Sequence, residues 1–458
     1  MQELKSRFSR FIELITSERF FYYYIITVMI SLPVFEVFDE THSNPFVTQP
    51  IIVEIAGYVG VFAFLSHFLK HKDIKYYLSD LLYFFLFIFA VLSAVFTQNK
   101  YDTWHGFYYD EWLFNFFGYF SLMLAGTMIT DKQMRKNILK AFVFVTCIQG
   151  AVAALQTAGI YIIECYYVTE ETMRYKISYG LTQSSNWYAG LSVLLFACTS
   201  GIYLFTNKKV TRNIMYCICI FCFYTLISTE ARLAWVGVFA YLVFLIVSFI
   251  VMKRKKWDKG KMSSIIKRTL VLAAGMIFVV AFAIVVCGKI TRRIDRTMYE
   301  LKDADSGEIG SFRMYIWRFG IKAIPKYWAF GIGLDNFADV FLKNPEYHEG
   351  DLMQAKAHNE YLHYLVTQGV FQFITYISLL VYTIVTGIRN VINNKDEEER
   401  FINWILLGMI VGYAAQAFFN SSIVYIAPYF WITIGMCLSH KNQRYFGFSK
   451  EKKAAKQS

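Results

Sequence analysis

The chain reads as a succession of apolar runs, most of them near 20 residues long, separated by short polar links. The runs fall at 20–38, 50–69, 78–96, 112–129, 137–158, 184–205, 212–228, 232–252, 267–287, 358–388, 401–420 and 423–440. A helix needs about 20 apolar residues to cross the hydrocarbon core of a bilayer. The pattern therefore predicts an all-α polytopic membrane protein with about 12 transmembrane helices. The first run lacks the short apolar core and small-residue cleavage site of a signal peptide, and reads as a retained helix. No internal repeat stands out.

One polar stretch is much longer than the rest. Residues 288–357 lie between the ninth and tenth runs, are nearly balanced in charge, and are rich in aromatics and Gly. With a helical-looking run at 312–327, the stretch reads as a folded cap rather than a linker. The expected organisation is a segment at 1–19, helices one to nine across 20–287, the cap at 288–357, helices ten to twelve across 358–440, and a basic, disordered tail at 441–458.

Composition supports the membrane reading. Charged residues make up 17% of the 458 positions, against about 25% in soluble domains. The net charge of +12 would suggest nucleic acid in a soluble protein. Here the basic residues sit in links, so topology accounts for them and no nucleic-acid partner is expected. Lys5, Arg7, Arg10 and Arg19 in the N-terminal segment, then Lys70, Lys72 and Lys75, then Lys132, Arg135 and Lys136, then Lys208, Lys209 and Arg212, then Lys253 to Arg268 alternate with non-basic links, two of which are marked by Asp39 and Glu40 and by Asp102, Asp110 and Glu111. The alternation places both termini and the 253–267 link in the cytoplasm and the 288–357 cap outside; so long a loop is exempt from the charge rule. Of the eight Cys, seven lie in apolar runs and only Cys165 in a polar loop. Cys217, Cys219 and Cys222 have no His nearby and read as inert buried thiols, so no metal is expected.

Ionisable groups at the outer edge of a membrane are default functional candidates, because their cost must be compensated. Arg232 lies between two apolar runs joined by almost no loop; its alternatives are a snorkelling anchor or a pair with Glu230. In Gly310–Gly320, Arg313 and Trp317 are spaced i, i+4 on one helix face, and Arg318 points elsewhere. A planar guanidinium suits phosphate oxygens. Gly331-Ile-Gly333 lacks the third glycine of a dinucleotide fingerprint and reads as a tight turn. His358-Asn359 opens the tenth run, with His358, Tyr361 and Leu362 expected on one helical face and His363 on another. A neutral imidazole near its ordinary pKa of about 6.5 accepts a proton from a hydroxyl.

Together these pieces resemble the O-antigen ligase and polymerase family of bacterial membrane glycosyltransferases, over roughly residues 175–420. His358-Asn359, nine residues, then Gly369 looks like the family's His-[Asn/Ser/Gln]-x₉-Gly signature, with Gln372 where the ligase form has Thr or Tyr. Arg232 resembles the family's arginine at the outer end of a span, and Arg313 and Trp317 its Arg-x₃-Trp element. Gly331 and Gly333 resemble the turn before the second loop helix, and Gly180, Asn186 and Ala189 its Gly…Asn-x-x-Ala element. The resemblance implies transfer of a glycan from an undecaprenyl-diphosphate-linked oligosaccharide to a glycan acceptor, at the outer face of the bacterial cytoplasmic membrane. It implies no cofactor and no metal, His358 as the base, and Arg232, Arg313 and Arg318 at the donor diphosphate. Asn359, Trp317 and Asn186 would support them. The partners implied are the lipid bilayer, a flippase and a chain-length regulator. Gln372 leans the reading toward polymerase over ligase. The rival class is a lipid-linked oligosaccharide flippase or other transporter, which would show repeats and broken helices near the midplane; the sequence shows neither.

Overall fold

The structure is a computed structural model that describes residues 2–38, 48–70, 76–106, 109, 111–162, 169–255, 257–302, 310–348 and 350–446. Cys165 and the tail from 447 onward lie outside the described residues, as do Asp39, Glu40 and Asp110. The helices are α1 (Gln2–Ile15), α2 (Glu18–Phe38), α3 (Thr48–Lys70), α4 (Leu78–Phe96), α5 (Lys100–His105), α6 (Leu113–Met128), α7 (Lys132–Ala158), α8 (Glu170–Arg174) and α9 (Ser185–Phe205). They continue with α10 (Lys209–Ile227), α11 (Arg232–Arg254), α12 (Lys259–Val285), α13 (Lys289–Lys302), α14 (Arg313–Tyr327), α15 (Asp339–Leu342), α16 (Glu360–Asn393), α17 (Glu397–Gln416) and α18 (Ala427–Cys437). Two-residue strands, β1 (Tyr76–Tyr77) and β2 (Tyr445–Phe446), pair antiparallel.

Each apolar run coincides with a helix, but the two counts differ. Among the described residues nine helices are long and apolar enough to cross a membrane: α3, α4, α7, α9, α10, α11, α12, α16 and α17. The helices α2, α6 and α18 fall short of that standard, α6 at 16 residues and α18 at 11. The chain is a helical, multi-pass membrane protein, and nine of the twelve expected spans meet that standard among the described residues.

The sequence explains which helices go inside. In α9 small residues (Ala189, Gly190, Ala197, Ser200, Gly201) let neighbours approach closely, and almost every side chain from Trp187 to Leu204 is buried. The helices α10, α11, α17 and α7 pack around it. On α11 and α12 large apolar side chains such as Phe239, Ile246, Ile277 and Phe278 are exposed, the pattern of a lipid-facing surface.

Ion pairs tie the links together at one end of the bundle. Lys132 meets Asp396 at 2.9 Å, Lys136 meets Glu398 at 2.6 Å, Lys261 meets Glu397 at 2.6 Å, and Arg135 pairs with Glu399 in full burial. The other end gathers residues 228–232, 289–302, 310–313, 356–360 and 420–422, joined by the contacts described below.

Helix α16 is broken at Gly369, whose φ of 83° and ψ of 178° are not helical. This revises the expectation that no spanning helix is broken. The break occurs at the tenth residue of the helix, and backbone from 327–333 fills it. Val370 N–H donates to Trp328 O at 2.7 Å, Ile332 N–H to Val366 O at 2.9 Å, and Gly333 N–H to Thr367 O at 2.8 Å. Approach this close requires glycine on both sides: a Cβ at Gly369 would stand 2.2 Å from Ala329 O, and one at Gly331 would stand 2.2 Å from Thr367 C. The Gly331-Ile-Gly333 turn expected from the sequence is thus one half of an interlock with α16.

The interlock makes a quantitative prediction. Gly369→Ala combines a positive φ with a backbone clash, and is expected to cost on the order of 3 kcal/mol or more. Gly350 also has a positive φ, but nothing lies within 4 Å of its virtual Cβ, so Gly350→Ala should cost only about 1 kcal/mol. Thermal melts of the two variants in detergent measure the difference; equal losses would refute the interlock.

Candidate functional site

The loop 228–231 joins α10 to α11 with Glu230 in a left-handed conformation, φ 55°. It projects Arg232 from the first turn of α11 toward α13 and the start of α14. Ser311 and Phe312, just before α14, are also left-handed, at φ 57° and 63°. Such backbone costs about 1–3 kcal/mol per residue and clusters at functional sites.

These elements enclose a cavity of about 250 Å³ lined by Arg232, Arg292, Arg293, Arg296, Arg313 and Asn186, with Glu171, Glu230 and Ser311 among the other residues in its wall. Arg232 donates to Glu300 Oε2 at 2.9 Å and to Ser311 Oγ at 2.8 Å. Glu230 pairs with Arg292, not with Arg232, so the alternative reading of Arg232 as Glu230's partner does not hold. Arg296 meets Glu171 at 3.1 Å. Among the described residues neither Arg293 nor Arg313 has a carboxylate at ion-pair distance. Arg313 Nη1 donates only to Gly310 O, at 2.8 Å. Burial, then the neighbouring Arg232 and Arg293, brings the Arg313 pKa down to about 10; burial and Arg232 bring Arg293 to about 10 as well. Both remain cationic at neutral pH, in a cleft with more guanidinium than carboxylate, which is a site for a multiply charged anion.

His358 is not on α16. Its φ is 48°, and it stands two residues before the helix starts at Glu360, so the expected face shared with Tyr361 and Leu362 does not exist. Asn359 is the N-cap and accepts Leu362 N–H at 3.0 Å. That cap forces the chain to turn, and the turn ejects His358 from the helix. His358 N–H donates to Ser421 Oγ at 3.0 Å, and Ser421 N–H donates to Asn420 Oδ1 at 3.0 Å. Asn420 reaches the backbone carbonyl of Asn186 at 3.4 Å. The ring keeps some accessible surface yet is closely surrounded by protein. Burial first, then Arg313 and Lys356, lowers its pKa to about 4, so the imidazole is neutral at physiological pH.

Trp317 Nε1–H donates to Ala357 O at 2.9 Å, so this side chain positions the segment that carries His358. Arg318 is not brought to the cavity. It pairs with Glu346 at 2.9 Å on the exposed outer side of α14, where Lys322 shares the same carboxylate. One helix face cannot serve both 313 and 318, which are about 140° apart. Two nearby carboxylates are engaged: Glu230 with Arg292, and Glu360 with the hydroxyls of Tyr376 and Tyr413 at 2.6 and 2.7 Å.

The residues that sequence reasoning missed are on α13. Arg292, Arg293, Arg296 and Glu300 share one side of that helix, opposite Ile290, Ile294 and Met298. The amphipathic spacing was visible in the sequence, but what the basic side faces was not. Asn186 is positioned from below: Gln156 accepts both Tyr179 and Gly180 N–H at 2.9 Å, and Gln149 accepts Leu181 N–H at 2.8 Å, which fixes the entry to α9. Among the described residues no group of three or more His, Cys, Asp or Glu is placed to hold a metal ion.

Residues 217–377 match the family described as O-Antigen ligase. The matched segment is about a third of the chain. It runs from α10 to the early turns of α16 and includes Arg232, α13, Arg313, the Gly331 turn, His358 and Gly369; Asn186 lies outside it. The match supports the O-antigen ligase and polymerase family, and with it glycan transfer of that general type by a multi-pass membrane protein. No curated protein matches the chain.

The low His358 pKa has a consequence for stability. The unfolded ring titrates near 6.5 and the folded ring near 4, so between these values the unfolded chain binds the extra proton. Stability is therefore lost as pH falls from about 6.5 toward 4. His358→Gln should flatten that part of a melting-temperature profile taken from pH 7 to 4. An unchanged slope would mean that His358 is not buried as described.

Proposed function

We propose that the chain transfers a glycan from undecaprenyl diphosphate to a sugar hydroxyl at the outer face of the bacterial cytoplasmic membrane, and that it polymerises the repeat units of a surface polysaccharide. The observation that carries this reading is the convergence of Arg232 and Arg313 on one cation-rich cavity, with neutral His358 beside it, inside a segment that matches the O-antigen ligase family. In this reading both termini are cytoplasmic, and the arginine cavity and the 288–357 segment face out. A flippase supplies the donor and a chain-length regulator limits the product.

The reaction follows from the groups present. His358 takes the proton of the acceptor hydroxyl. The acceptor oxygen bonds to the anomeric carbon from the face opposite the diphosphate, so configuration inverts. The bond from that carbon to the diphosphate oxygen breaks, and the charge left on the diphosphate is met by Arg313 and Arg232. Arg293 adds a third guanidinium in the same wall. The polymerase assignment over ligase rests on Gln372, which is fully buried in α16 and touches neither His358 nor the arginine cavity in any hydrogen bond.

Three measurements test the reading. His358→Ala should lower transfer by about 10²–10⁴-fold in a reconstituted assay while donor binding persists; near-normal transfer would remove the base. Arg313→Lys keeps the charge and loses the planar fork, and should cost roughly tenfold to a hundredfold. The acid limb of kcat/KM, which reports the free enzyme, should fall near pH 4, and that of kcat should lie higher, because bound diphosphate offsets the Arg313 charge that depresses His358. Coincident limbs would refute that coupling.

Orientation has its own test. A single Cys at position 348 should react with an impermeant thiol reagent in intact cells, and one at 260 should not. The reverse pattern would overturn the orientation.

A further inference from the structure

A second cleft lies away from the arginine cavity, at the end of the bundle where the ion-paired links gather. It has a volume of about 580 Å³ and is walled by α3, α4 and α6. Its floor is made by Phe64, Tyr83 and Phe120, each no more than 5% exposed, and its rim by Leu65 and Phe84, each 58% exposed. The cleft therefore opens sideways, onto the lipid-facing surface of helices that sit in the bilayer.

Three properties of the cleft select an occupant. Along α6 its wall runs from Phe117 to Met128, a length of about 17 Å at 1.5 Å per residue. That is close to the thickness of one hydrocarbon leaflet, half of about 30 Å. The walls are apolar for nearly the whole of that length. Most polar groups collect at one end, namely Asp80 and His440 at 3.4 Å, Tyr77 stacked on the His440 ring at 4.1 Å between centroids, His67, Thr127 and Thr130, with Ser121 part-way along α6. That end coincides with the polar links 130–132 and 439–442, where the surface of the bilayer lies.

We propose that this cleft binds one acyl chain of a membrane glycerophospholipid, whose headgroup and ester region meet the Asp80–His440–Thr130 end. A slot of one-leaflet length, apolar along its walls and polar at the interfacial end, matches the polarity profile of a single lipid molecule. Water does not fill such a slot, because an apolar cavity offers it no partners. A soluble metabolite has no route to it except through the bilayer. The site lies in the opposite leaflet from the arginine cavity and takes no part in glycan transfer. Its role is to hold α3, α4 and α6 together where their own side chains leave a gap.

The test reads lipid retention rather than activity. The full chain is extracted in a mild non-ionic detergent and examined by native mass spectrometry. The wild type should retain one glycerophospholipid per chain. Leu124→Trp, which fills the slot, should reduce retention at least tenfold, while Phe239→Trp on the exposed face of α11 should leave it unchanged. Adding phosphatidylglycerol should raise the melting temperature of the wild type and of Phe239→Trp by several degrees, and that of Leu124→Trp by much less. If Leu124→Trp fails to fold, Val61→Phe fills the slot from the opposite wall. Absence of retained lipid in the wild type, or equal retention in the slot-filling and control variants, would overturn the proposal.

Discussion

A helix in a bilayer has to satisfy its own backbone, because lipid offers no hydrogen bonds. Helix α16 breaks at Gly369, and the rest of the arginine-cavity end of this protein depends on how the break is repaired. The groups it frees are bonded by the 327–333 turn, and α4 braces both partners: Ser93 Oγ donates to Thr367 O at 3.0 Å, and Thr97 Oγ1 to Ile332 O at 2.6 Å. Asn336 then closes the turn against Thr97 and Thr103 at 3.1 and 2.9 Å. The 327–336 stretch is therefore locked to the membrane helices by main-chain and side-chain bonds. That lock fixes where α14 sits, and α14 in turn holds residue 357 through Trp317. His358 owes its place to a glycine eleven residues further on.

The second constraint is electrostatic. Five guanidinium groups around one small cavity repel each other, and the fold offsets the repulsion unequally. Arg232, Arg292 and Arg296 each have a carboxylate, while Arg293 and Arg313 have none among the described residues. The paired arginines hold the walls, and the two without carboxylates leave an excess of positive charge that an incoming anion can neutralise. Because burial and mutual repulsion already weaken both cations, binding an anion relieves a cost present in the empty site. The left-handed backbone at Glu230, Ser311 and Phe312 has the same character: strain kept in place by the surrounding packing.

What could be read from the sequence was whatever depends on local spacing. Apolar runs located the helices, since hydropathy needs no tertiary information. Arg232 stood out because charge at the edge of a span demands compensation, and Arg313 because it shares a helix face with Trp317; the structure brings both to one cavity. Arg318 did not follow, because the i, i+4 rule that placed Arg313 and Trp317 together put Arg318 on the opposite face; the basic character of the stretch was a poorer guide than its periodicity. His358 was assigned to the helix that begins after it, because the Asn359 cap was not recognised as a boundary. The α13 wall was out of reach for a different reason. An amphipathic helix shows two faces in sequence, but which of them meets protein is decided by residues far away in the chain, here Glu171, Glu230 and Asn186.

Burial first, and then the Arg313 charge that the proposed reaction sets against the diphosphate, makes His358 a weak base. With its pKa near 4, the ring has little thermodynamic pull on the proton of a sugar hydroxyl until that oxygen is already bonding to the anomeric carbon. In the proposed reaction the driving force must therefore come from the leaving side, where guanidinium groups stabilise the departing diphosphate. The two sides are coupled through Arg313, which lowers the pKa of His358 and also faces the anion. A bound diphosphate cancels part of that positive field, so the imidazole becomes more basic only when there is a donor to attack. An imidazole isolated from the arginines would be the stronger base in the empty site, but it would lose this dependence on the donor. On this argument the low pKa of His358 does not count against its proposed role; it follows from burying the base close to Arg313, the charge that in that reaction stabilises the leaving group.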